Sequence, residues 1–291
     1  MNTPDEHIDY EGAATASIWW RYVANLKGES AGAIGQLTAN SKTAAKAVLE
    51  RACERLRQQG CQWAIAPLDG DTWHSYRVIL ESSDEAPFPG EPSLEPHWGE
   101  WLTDFGFSII AKYSSSRVSI GDTEESDSLR RAKLRLEGCG VTIRSMRLDD
   151  WDSELARFFE VSLAAFQNAY LYVPLDETGF RALYEKGRAL ADPRWIRLAE
   201  CEGKAVGFVF AFRLPGRTAL YVKTLAVVPN RRFAGLGTVL LDEVQRAAVM
   251  AGSEYAVHCL QHEANTSLRV SSRYQPKVVR TYGLFAKRLG I

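Results

Sequence analysis

The sequence has no closely spaced cysteines, no long apolar run and no excess of either charge. Its five cysteines are far apart and include no CxxC pair, which argues against a zinc site and favours reduced thiols. No apolar run approaches the roughly 20 residues that a helix needs to cross a bilayer. With a net charge of −1, the chain lacks the basic excess of a general nucleic-acid binder.

The first fifteen residues, MNTPDEHIDYEGAAT, also lack the basic start and apolar core of a signal peptide. We therefore expect a cytoplasmic protein that binds no metal, no nucleic acid and no membrane. Nothing in the composition separates a monomer from a homodimer.

The length of 291 residues is comfortable for two domains, and 46% of the residues are apolar, enough for a sizeable core. The pattern predicts an α/β (α+β) fold of two tandem domains. Each has a mixed, largely antiparallel sheet flanked by helices. We expect a flexible tail over residues 1–16, a first domain over 17–118, a linker helix over 119–140 and a second domain over 141–291.

The first half begins with two predicted strands, IWWRYVANL and AGAIGQLTA, followed by a helix that Asn40 or Ser41 caps and Gly60 ends. Its apolar residues recur at helical spacing: Ala45, Val48, Leu49, Ala52 and Leu56. After it we predict the strand CQWAIAPL, an irregular loop over 82–97, a short helix around Trp98 to Thr103 and the strand GFSIIAKYSS.

The second half begins with the predicted strand VTIRSMRL and two helices, LDDWDSELARFFEVSLAAF and ETGFRALYEKGRAL. Three antiparallel strands follow, with turns at Glu202-Gly203 and Pro215-Gly216. The helix GLGTVLLDEVQRAAVMAG ends at Gly252. The strand SEYAVHCL and a last strand pair around PKVVRTYGLFAKRL complete the pattern.

A helix–glycine–strand unit occurs twice without a gap, because Gly252 lies 192 positions after Gly60. At this spacing the helix residues Leu49, Ala52 and Leu56 fall on Leu241, Val244 and Ala248. The match favours two related α/β halves, with chance recurrence of a common unit as the alternative.

The stretch LAVVPNRRFAGLGTVLL predicts an anion site. A strand ends at Val228 before Pro229, and a helix begins after the glycines Gly235 and Gly237. A helix start exposes N–H groups and carries about half a positive charge, and glycine allows a ligand to approach the backbone closely. Because Arg231 and Arg232 add formal charge, the pattern suits a diphosphate.

Other interpretations of this loop fit less well. A dinucleotide-binding loop needs a third glycine, and a Walker A loop needs Gly-Lys-Ser/Thr, and neither is found here. A structural loop with tolerated glycines is the alternative for Gly-x-Gly alone. The strand–loop–helix context and Arg232 favour the anion site.

On these residues the sequence resembles the GNAT superfamily of N-acetyltransferases. The resemblance covers about residues 141–289 and is carried by Leu225-Ala226-Val227-x-Pro229, by Arg232-x-x-Gly235-x-Gly237 and by Asn265 after the next strand. Together with the repeat, it implies two tandem GNAT-like domains. It also implies acetyl-CoA as co-substrate and a primary amine of a small molecule, peptide or protein as acceptor.

The resemblance also implies roles for particular residues. Backbone N–H groups from Phe233 to Thr238 would bind the diphosphate, and the strand end would pair with the pantetheine arm. A backbone N–H near Ala226 or Val227 would polarise the thioester carbonyl. The predicted cofactor-binding residues are Leu225, Ala226, Val227, Arg232, Phe233, Ala234, Gly235, Leu236, Gly237, Thr238 and Asn265.

The sequence departs from the family at the general acid. Many members carry a tyrosine seven residues after the asparagine, where this chain has Ser272. Tyr274 is the nearest phenol and the candidate acid, with Ser272 or solvent as alternatives. No general base can be assigned. The weak candidates are Tyr221, Lys223, Glu200, Glu202, His258 and His262.

The loop between the two helices of the second half carries Phe166, Asn168, Tyr170 and Tyr172. In the family this loop covers the acceptor site, so these residues form either a substrate wall or ordinary packing.

The first half lacks the anion loop. At the spacing of 192, Arg232, Gly235 and Gly237 correspond to Asn40, Thr43 and Ala45, whose Cβ atoms would obstruct a diphosphate. We expect a degenerate GNAT-like half that does not bind acetyl-CoA.

The leading prediction is an acetyl-CoA-dependent N-acetyltransferase in which the amine attacks the acetyl group directly. The missing tyrosine keeps open a non-catalytic acyl-CoA-binding regulatory module, and a transferase of longer acyl chains is a further alternative.

Overall fold

The structure is a computed structural model that describes residues 3–121, 125–264 and 267–290, without the side chains of Ser267 and Arg269. The chain folds into two compact units. The first takes in the described residues of Met1–Ser114, Ala169–Val173 and Val279–Ile291, and the second those of Ser115–Asn168 and Pro174–Val278.

The strands are β1 Glu6–Tyr10, β2 Ala14–Trp19, β3 Ala31–Ala39, β4 Trp63–Ala66, β5 Val78–Ser82, β6 Ser108–Ser119, β7 Val141–Ser145, β8 Ile196–Cys201, β9 Lys204–Arg213, β10 Ala219–Val227, β11 Tyr255–His262 and β12 Lys277–Arg288. The α-helices are α1 Lys42–Gln58, α2 His97–Asp104, α3 Asp127–Gly138, α4 Trp151–Phe166, α5 Glu177–Glu185, α6 Leu236–Met250 and α7 Ser267–Ser271.

The first unit contains a mixed sheet in the order β1-β2-β3-β4-β12, and β5 also pairs with β12. Strands β3 and β4 are parallel, and the other neighbours in this order are antiparallel. Because β1 and β2 form a hairpin that buries Ala14, Ala16 and Ile18, the predicted tail over residues 1–16 is wrong for residues 6–16. The predicted strand IWWRYVANL is also misplaced, since β2 ends at Trp19.

Helix α1 follows the prediction closely. The Ser41 side chain caps it by accepting a hydrogen bond from the Ala44 N–H at 3.2 Å. Gly60 follows the helix with a φ of 81°, a conformation that favours glycine. The predicted apolar face is buried in the core of the first unit.

The second unit contains a mixed sheet in the order β11-β10-β9-β8-β7. The three predicted antiparallel strands are confirmed as β8, β9 and β10, whereas β10 and β11 are parallel. Helix α4 covers one face, where Phe158 stacks on Phe208 of β9 with ring centroids 4.2 Å apart. Helix α6 covers the other, where Leu236 and Leu240 lie beside Gly207.

The predicted repeat is visible in the topology. Trp63 and Tyr255, which are 192 positions apart, begin β4 and β11, and each pairs with the first residue of a parallel strand, Ala31 and Ala219 respectively. Each parallel pair is connected through a helix, α1 or α6. The two units therefore share a β–α–β unit in the same register.

Four further features of the structure differ from the sequence-based assignments. The last strand pair is the single strand β12, and β5 was not predicted. The second predicted helix of the second half ends at Glu185. Strand β12 pairs with β4 of the first unit from Phe285 onward, and the residues of β12 from Val279 belong to that unit. They are therefore not part of the predicted second domain over 141–291.

Candidate functional site

Strand β10 has an open edge near its end. Its parallel pairing with β11 covers Ala219 to Val222, whereas its pairing with β9 continues to Val227. The register with β9 shifts between Val222 and Thr224, so Lys223 lies in a β-bulge. Beyond the bulge, β10 is paired along one side and open along the other.

The register shows which backbone groups face the open edge. The Val228 N–H donates to the Val206 carbonyl of β9 at 3.0 Å. Because pairing alternates along an antiparallel strand, Ala226 also directs its backbone groups to β9, and those of Leu225 and Val227 face the open side. Of the two N–H groups predicted for the thioester, only that of Val227 faces this edge.

The loop before α6 offers three N–H groups to a ligand. No described residue accepts a hydrogen bond from the backbone N–H of Gly235, Leu236 or Gly237. The N–H groups of Phe233 and Ala234 donate within the loop, to the carbonyls of Asn230 at 3.0 Å and Arg231 at 3.1 Å.

The Thr238 N–H likewise donates to the Gly235 carbonyl, at 3.0 Å. The predicted anion-binding run from Phe233 to Thr238 therefore narrows to three of its six residues, Gly235, Leu236 and Gly237.

The two glycines of the loop differ in backbone conformation and in the space around their Cβ positions. Gly235 has a φ of 86°, and a Cβ atom there would lie 3.2 Å from the Ala132 Cβ of α3. At Gly237 a Cβ atom would make ordinary contacts, at 3.6 Å from Leu225 and 3.7 Å from Val227. Only Gly235 is required by the backbone and by its packing.

The arginine of the motif is paired within the protein. The Arg232 guanidinium donates to the Cys139 carbonyl and to the Glu202 carboxylate, both at 2.7 Å. This hydrogen bond lowers the pKa of Glu202. Arg232 thus joins its loop to two neighbouring turns, and its charge is balanced. The sequence could not show this, because Cys139 and Glu202 are distant along the chain.

A cation that the motif did not indicate lies beside the loop. Arg135 of α3 donates from its Nη2 to the Ala234 carbonyl. Residue spacing offers no signal for it, since α3 lies about 100 residues before the loop.

An aromatic cluster lies on the α4–α5 face of β10, opposite the face that α6 covers. Burial raises the pKa of Tyr184 of α5 to about 12, and its hydroxyl hydrogen-bonds with Thr224 of β10. Its ring contacts Phe180 and Phe210, with centroids 4.6 and 5.5 Å apart. Tyr184 is a functional candidate that the sequence did not single out, because helical periodicity does not show which strand a helix covers.

The candidate acids lie in a 3₁₀ turn, Ser272–Tyr274. The Tyr274 ring packs edge-on against His258, with centroids 6.1 Å apart, and burial raises the pKa of Tyr274 to about 12. It is therefore protonated at neutral pH. The third predicted residue of this region, Asn265, lies outside the described residues.

The weak candidates for a base are held by other groups. His258 is buried, with its ring nitrogens 2.9 Å from Gln245 Nε2 and 2.6 Å from Ser271 Oγ, and burial lowers its pKa to about 4. Glu200 accepts hydrogen bonds from Arg144 and Arg157.

Two further candidates lie on β10. Tyr221 is buried with its hydroxyl 3.1 Å from Arg217, and Lys223 occupies the bulge. None of these residues is identified as the base.

The four predicted acceptor residues are divided between the units. Phe166 and Asn168 belong to the second unit, and Tyr170 and Tyr172 to the first. Within the first unit Tyr172 packs edge-on against Trp73, with centroids 6.1 Å apart.

The described ranges contain neither a metal-binding cluster nor a membrane-spanning helix. In those ranges no three His, Cys, Asp or Glu side chains are grouped so that they could hold a metal ion. None of the helices described combines the length and apolar character needed to cross a membrane.

Comparison with known proteins defines the class. Residues 155–269 match the model of the Acetyltransferase (GNAT) family, so this part of the chain is a GNAT domain. It contains the open edge of β10, the glycine loop and α6. The family match and the fold together indicate an acyltransferase.

Solved structures extend the likeness to the whole chain. A GCN5-related N-acetyltransferase from Sphaerobacter thermophilus has a TM-score of 0.55 and 14% identity, over 96% of this chain and 78% of that one. A tandem GNAT protein from the clavulanic acid biosynthesis pathway has a TM-score of 0.51 and 15% identity, over 99% and 85%.

A GCN5-related N-acetyltransferase from Anabaena variabilis also has a TM-score of 0.55, with 8% identity over 96% of this chain and 60% of that one. The curated protein sequences contain no match to this chain. At these identities the structures define the fold, which is that of two tandem GNAT-like domains.

Proposed function

We propose that the protein is an acetyl-CoA-dependent N-acetyltransferase that moves an acetyl group to a primary amine by direct attack. The observation that carries this proposal is the open edge of β10 next to three backbone N–H groups that no described residue accepts from. An extended pantetheine arm matches the edge, and a diphosphate matches the helix start. Both features lie in the part of the chain that matches the GNAT family.

Backbone groups at the open edge of β10 and at the start of α6 would bind acetyl-CoA. The N–H groups of Gly235, Leu236 and Gly237 would donate to the diphosphate. The backbone of Leu225 and Val227 would pair with the amides of the pantetheine arm, and the Val227 N–H would face the thioester oxygen. These contacts orient the thioester at the bulge of β10.

The transfer itself needs two proton movements. As the amine nitrogen bonds to the acetyl carbon and the carbon–sulfur bond breaks, one proton leaves the nitrogen and one reaches the thiolate. We propose Tyr274 as the acid, because burial keeps its phenol protonated, with Ser272 as the alternative. A Tyr274→Phe variant should lower kcat while CoA binds normally, and Ser272→Ala should act normally. The reverse pattern would move the role to Ser272.

The acceptor would lie on the α4–α5 face of β10, where Tyr184 and Thr224 form a polar spot in an aromatic surface. Phe166 and Asn168 remain proposed acceptor residues of the same unit. An amine attached to an apolar or aromatic group fits this surface.

We also propose that the first unit does not bind acetyl-CoA. Its helix start carries a side-chain cap, because the Ser41 side chain accepts from the Ala44 N–H. Its strand edge is occupied. The Leu68 N–H donates to the Ile34 carbonyl at 2.8 Å, and Asp69 Oδ1 accepts from the Gln36 N–H at 2.8 Å. The chain itself fills the place where the second unit is open.

The test compares two glycine variants of one helix. Gly235→Glu places a carboxylate beside the diphosphate and should abolish CoA binding in calorimetry. Gly252→Glu is the matched control, because Gly252 has a similar φ, 81°, and lies at the other end of α6 with no atom within 4 Å of its Cβ position. Normal CoA binding by Gly235→Glu would overturn the site.

Turnover is tested separately, by thiol release from acetyl-CoA with a library of amines. Release that depends on an amine supports the transferase. Tight CoA binding without such release would instead support a regulatory module. Mass spectrometry of the ligand that copurifies would show the length of the acyl chain.

A further inference from the structure

Helix α3, which lies outside the matched range of residues 155–269, packs beside the glycine loop. Its residues Leu129 and Leu136 are buried in the core of the second unit together with α6. Ala132 approaches the Cβ position of Gly235 to 3.2 Å. The helix therefore forms one side of the loop that the proposed function assigns to the diphosphate.

Arg135 brings a guanidinium to that loop. Its Nη2 donates to the Ala234 carbonyl and lies 3.4 Å from the Cβ position of Gly235. Ala234 immediately precedes Gly235, Leu236 and Gly237. No described residue accepts a hydrogen bond from the backbone N–H groups of these three residues. A guanidinium has five N–H donors in a fixed plane, so a bond to one carbonyl leaves donors for a neighbouring anion.

Two other cations around the loop, Arg232 and Lys133, are paired with carboxylates. Arg232 is paired with Glu202 at 2.7 Å, and Lys133 of α3 is paired with Asp242 at 2.9 Å and Glu125 at 2.7 Å. Arg135 pairs with no carboxylate among the described residues. Its charge is therefore not balanced locally, although it lies against the proposed diphosphate site.

We propose that Arg135 is a diphosphate-binding residue, so that α3 completes the acetyl-CoA site from outside the matched domain. This rests on the proposed function of the second unit. The diphosphate is favoured over the 3′-phosphate of CoA because Arg135 contacts the carbonyl next to the loop N–H groups. A planar guanidinium binds two phosphate oxygens at once, which a lysine does not reproduce.

The test is CoA binding by Arg135→Ala in the full chain, measured by calorimetry. We expect the Kd for CoA to rise roughly tenfold or more, the usual effect of losing a hydrogen bond to a charged group. Arg135→Lys should recover part of the affinity. The matched control is Arg130→Ala on the same helix, because Arg130 is exposed and lies 3.7 Å from Glu125 and from Asp127. It should bind CoA as the wild type does.

Ligand fragments separate the phosphate groups and check the folding of the variant. Dephospho-CoA, which lacks the 3′-phosphate, should show the same penalty with Arg135→Ala. Pantetheine, which has no phosphate, should bind wild type and variant equally, and this would show that the variant folds.

Three outcomes overturn the proposal. Equal CoA affinities for wild type and Arg135→Ala would remove Arg135 from the site and leave the proposed function intact. A penalty that disappears with dephospho-CoA would assign Arg135 to the 3′-phosphate instead. Absence of CoA binding by the wild type would overturn the proposed function as well.

Discussion

At the scale of single residues, the loop glycines are distinguished by their backbones. Gly235 adopts a φ of 86° against Ala132, whereas Gly237 is an ordinary helical residue with room for a methyl group. We expect Gly235→Ala to lower the free energy of unfolding by about 1–2 kcal/mol. Gly237→Ala should raise it by up to about 1 kcal/mol, because alanine favours a helix. Urea titrations of both variants would measure this, and equal effects would contradict the backbone assignment.

Buried His258 makes stability depend on pH. Burial lowers its pKa from 6.5 to about 4, so between these values the unfolded chain binds a proton that the folded chain does not. The free energy of unfolding should therefore fall as the pH falls from 6.5 towards 4. For this shift the loss is on the order of 3 kcal/mol.

The control is His258→Gln, which keeps a polar group beside Gln245 and Ser271 but cannot titrate. Its unfolding free energy should change little between pH 6.5 and 5, although the variant can be less stable at every pH. The same slope in variant and wild type would show that another group titrates.

At the scale of elements, amide hydrogen exchange should distinguish the paired side of β10 from its open side. The N–H groups of Leu225 and Val227 face the open edge and should exchange quickly in the free protein. That of Ala226 bonds to β9 and should exchange slowly.

Adding CoA should slow exchange at Leu225 and Val227 and leave Ala226 unchanged. NMR of the labelled protein resolves these neighbouring amides. Slow exchange at Val227 without ligand would contradict the open edge.

Strand β12 holds the irregular segment before α2 through a buried ion pair. Arg280 Nη1 donates to Glu91 at 2.5 Å, and both side chains are 3% exposed. Glu91→Ala would leave the Arg280 charge buried without its carboxylate, so we expect a loss of about 3–5 kcal/mol in the free energy of unfolding.

The exposed pair Lys42–Asp104, at 2.6 Å in the same unit, is the matched control. Asp104→Ala should cost less than about 1 kcal/mol, because solvent screens the pair. Similar losses for Glu91→Ala and Asp104→Ala in urea titrations would contradict the role of burial.

At the scale of the whole molecule, two units with the same β–α–β register differ in whether the strand edge is open. The first unit fills its edge with Leu68 and Asp69, and the second leaves β10 open beyond Val222. We therefore expect one CoA bound per chain in calorimetry. The Gly235→Glu variant should bind no CoA. Two CoA molecules bound per wild-type chain, or one bound per variant chain, would show that the first unit binds CoA.

Much of this organisation was readable from local patterns. The helical spacing of apolar residues predicted α1. Its glycine end was predicted from the backbone torsions that glycine favours, and its polar cap from the hydrogen bond that a polar side chain can accept there. Strand alternation and turn residues predicted β8, β9 and β10. The strand–glycine–helix order predicted the loop at Gly235, and the spacing of 192 predicted the repeated unit. Such features depend on residues that are close along the chain, so the sequence by itself determined them.

The tertiary structure decided which groups meet at the site. The register with β9 turns Val227 rather than Ala226 to the open edge, and packing places Arg135 at the loop and pairs Arg232 with Glu202. It also assigns the end of β12 to the first unit. These contacts join residues that are tens to hundreds of positions apart. Strand register and helix packing set them, because neither the period of a helix nor the alternation of a strand specifies a distant partner.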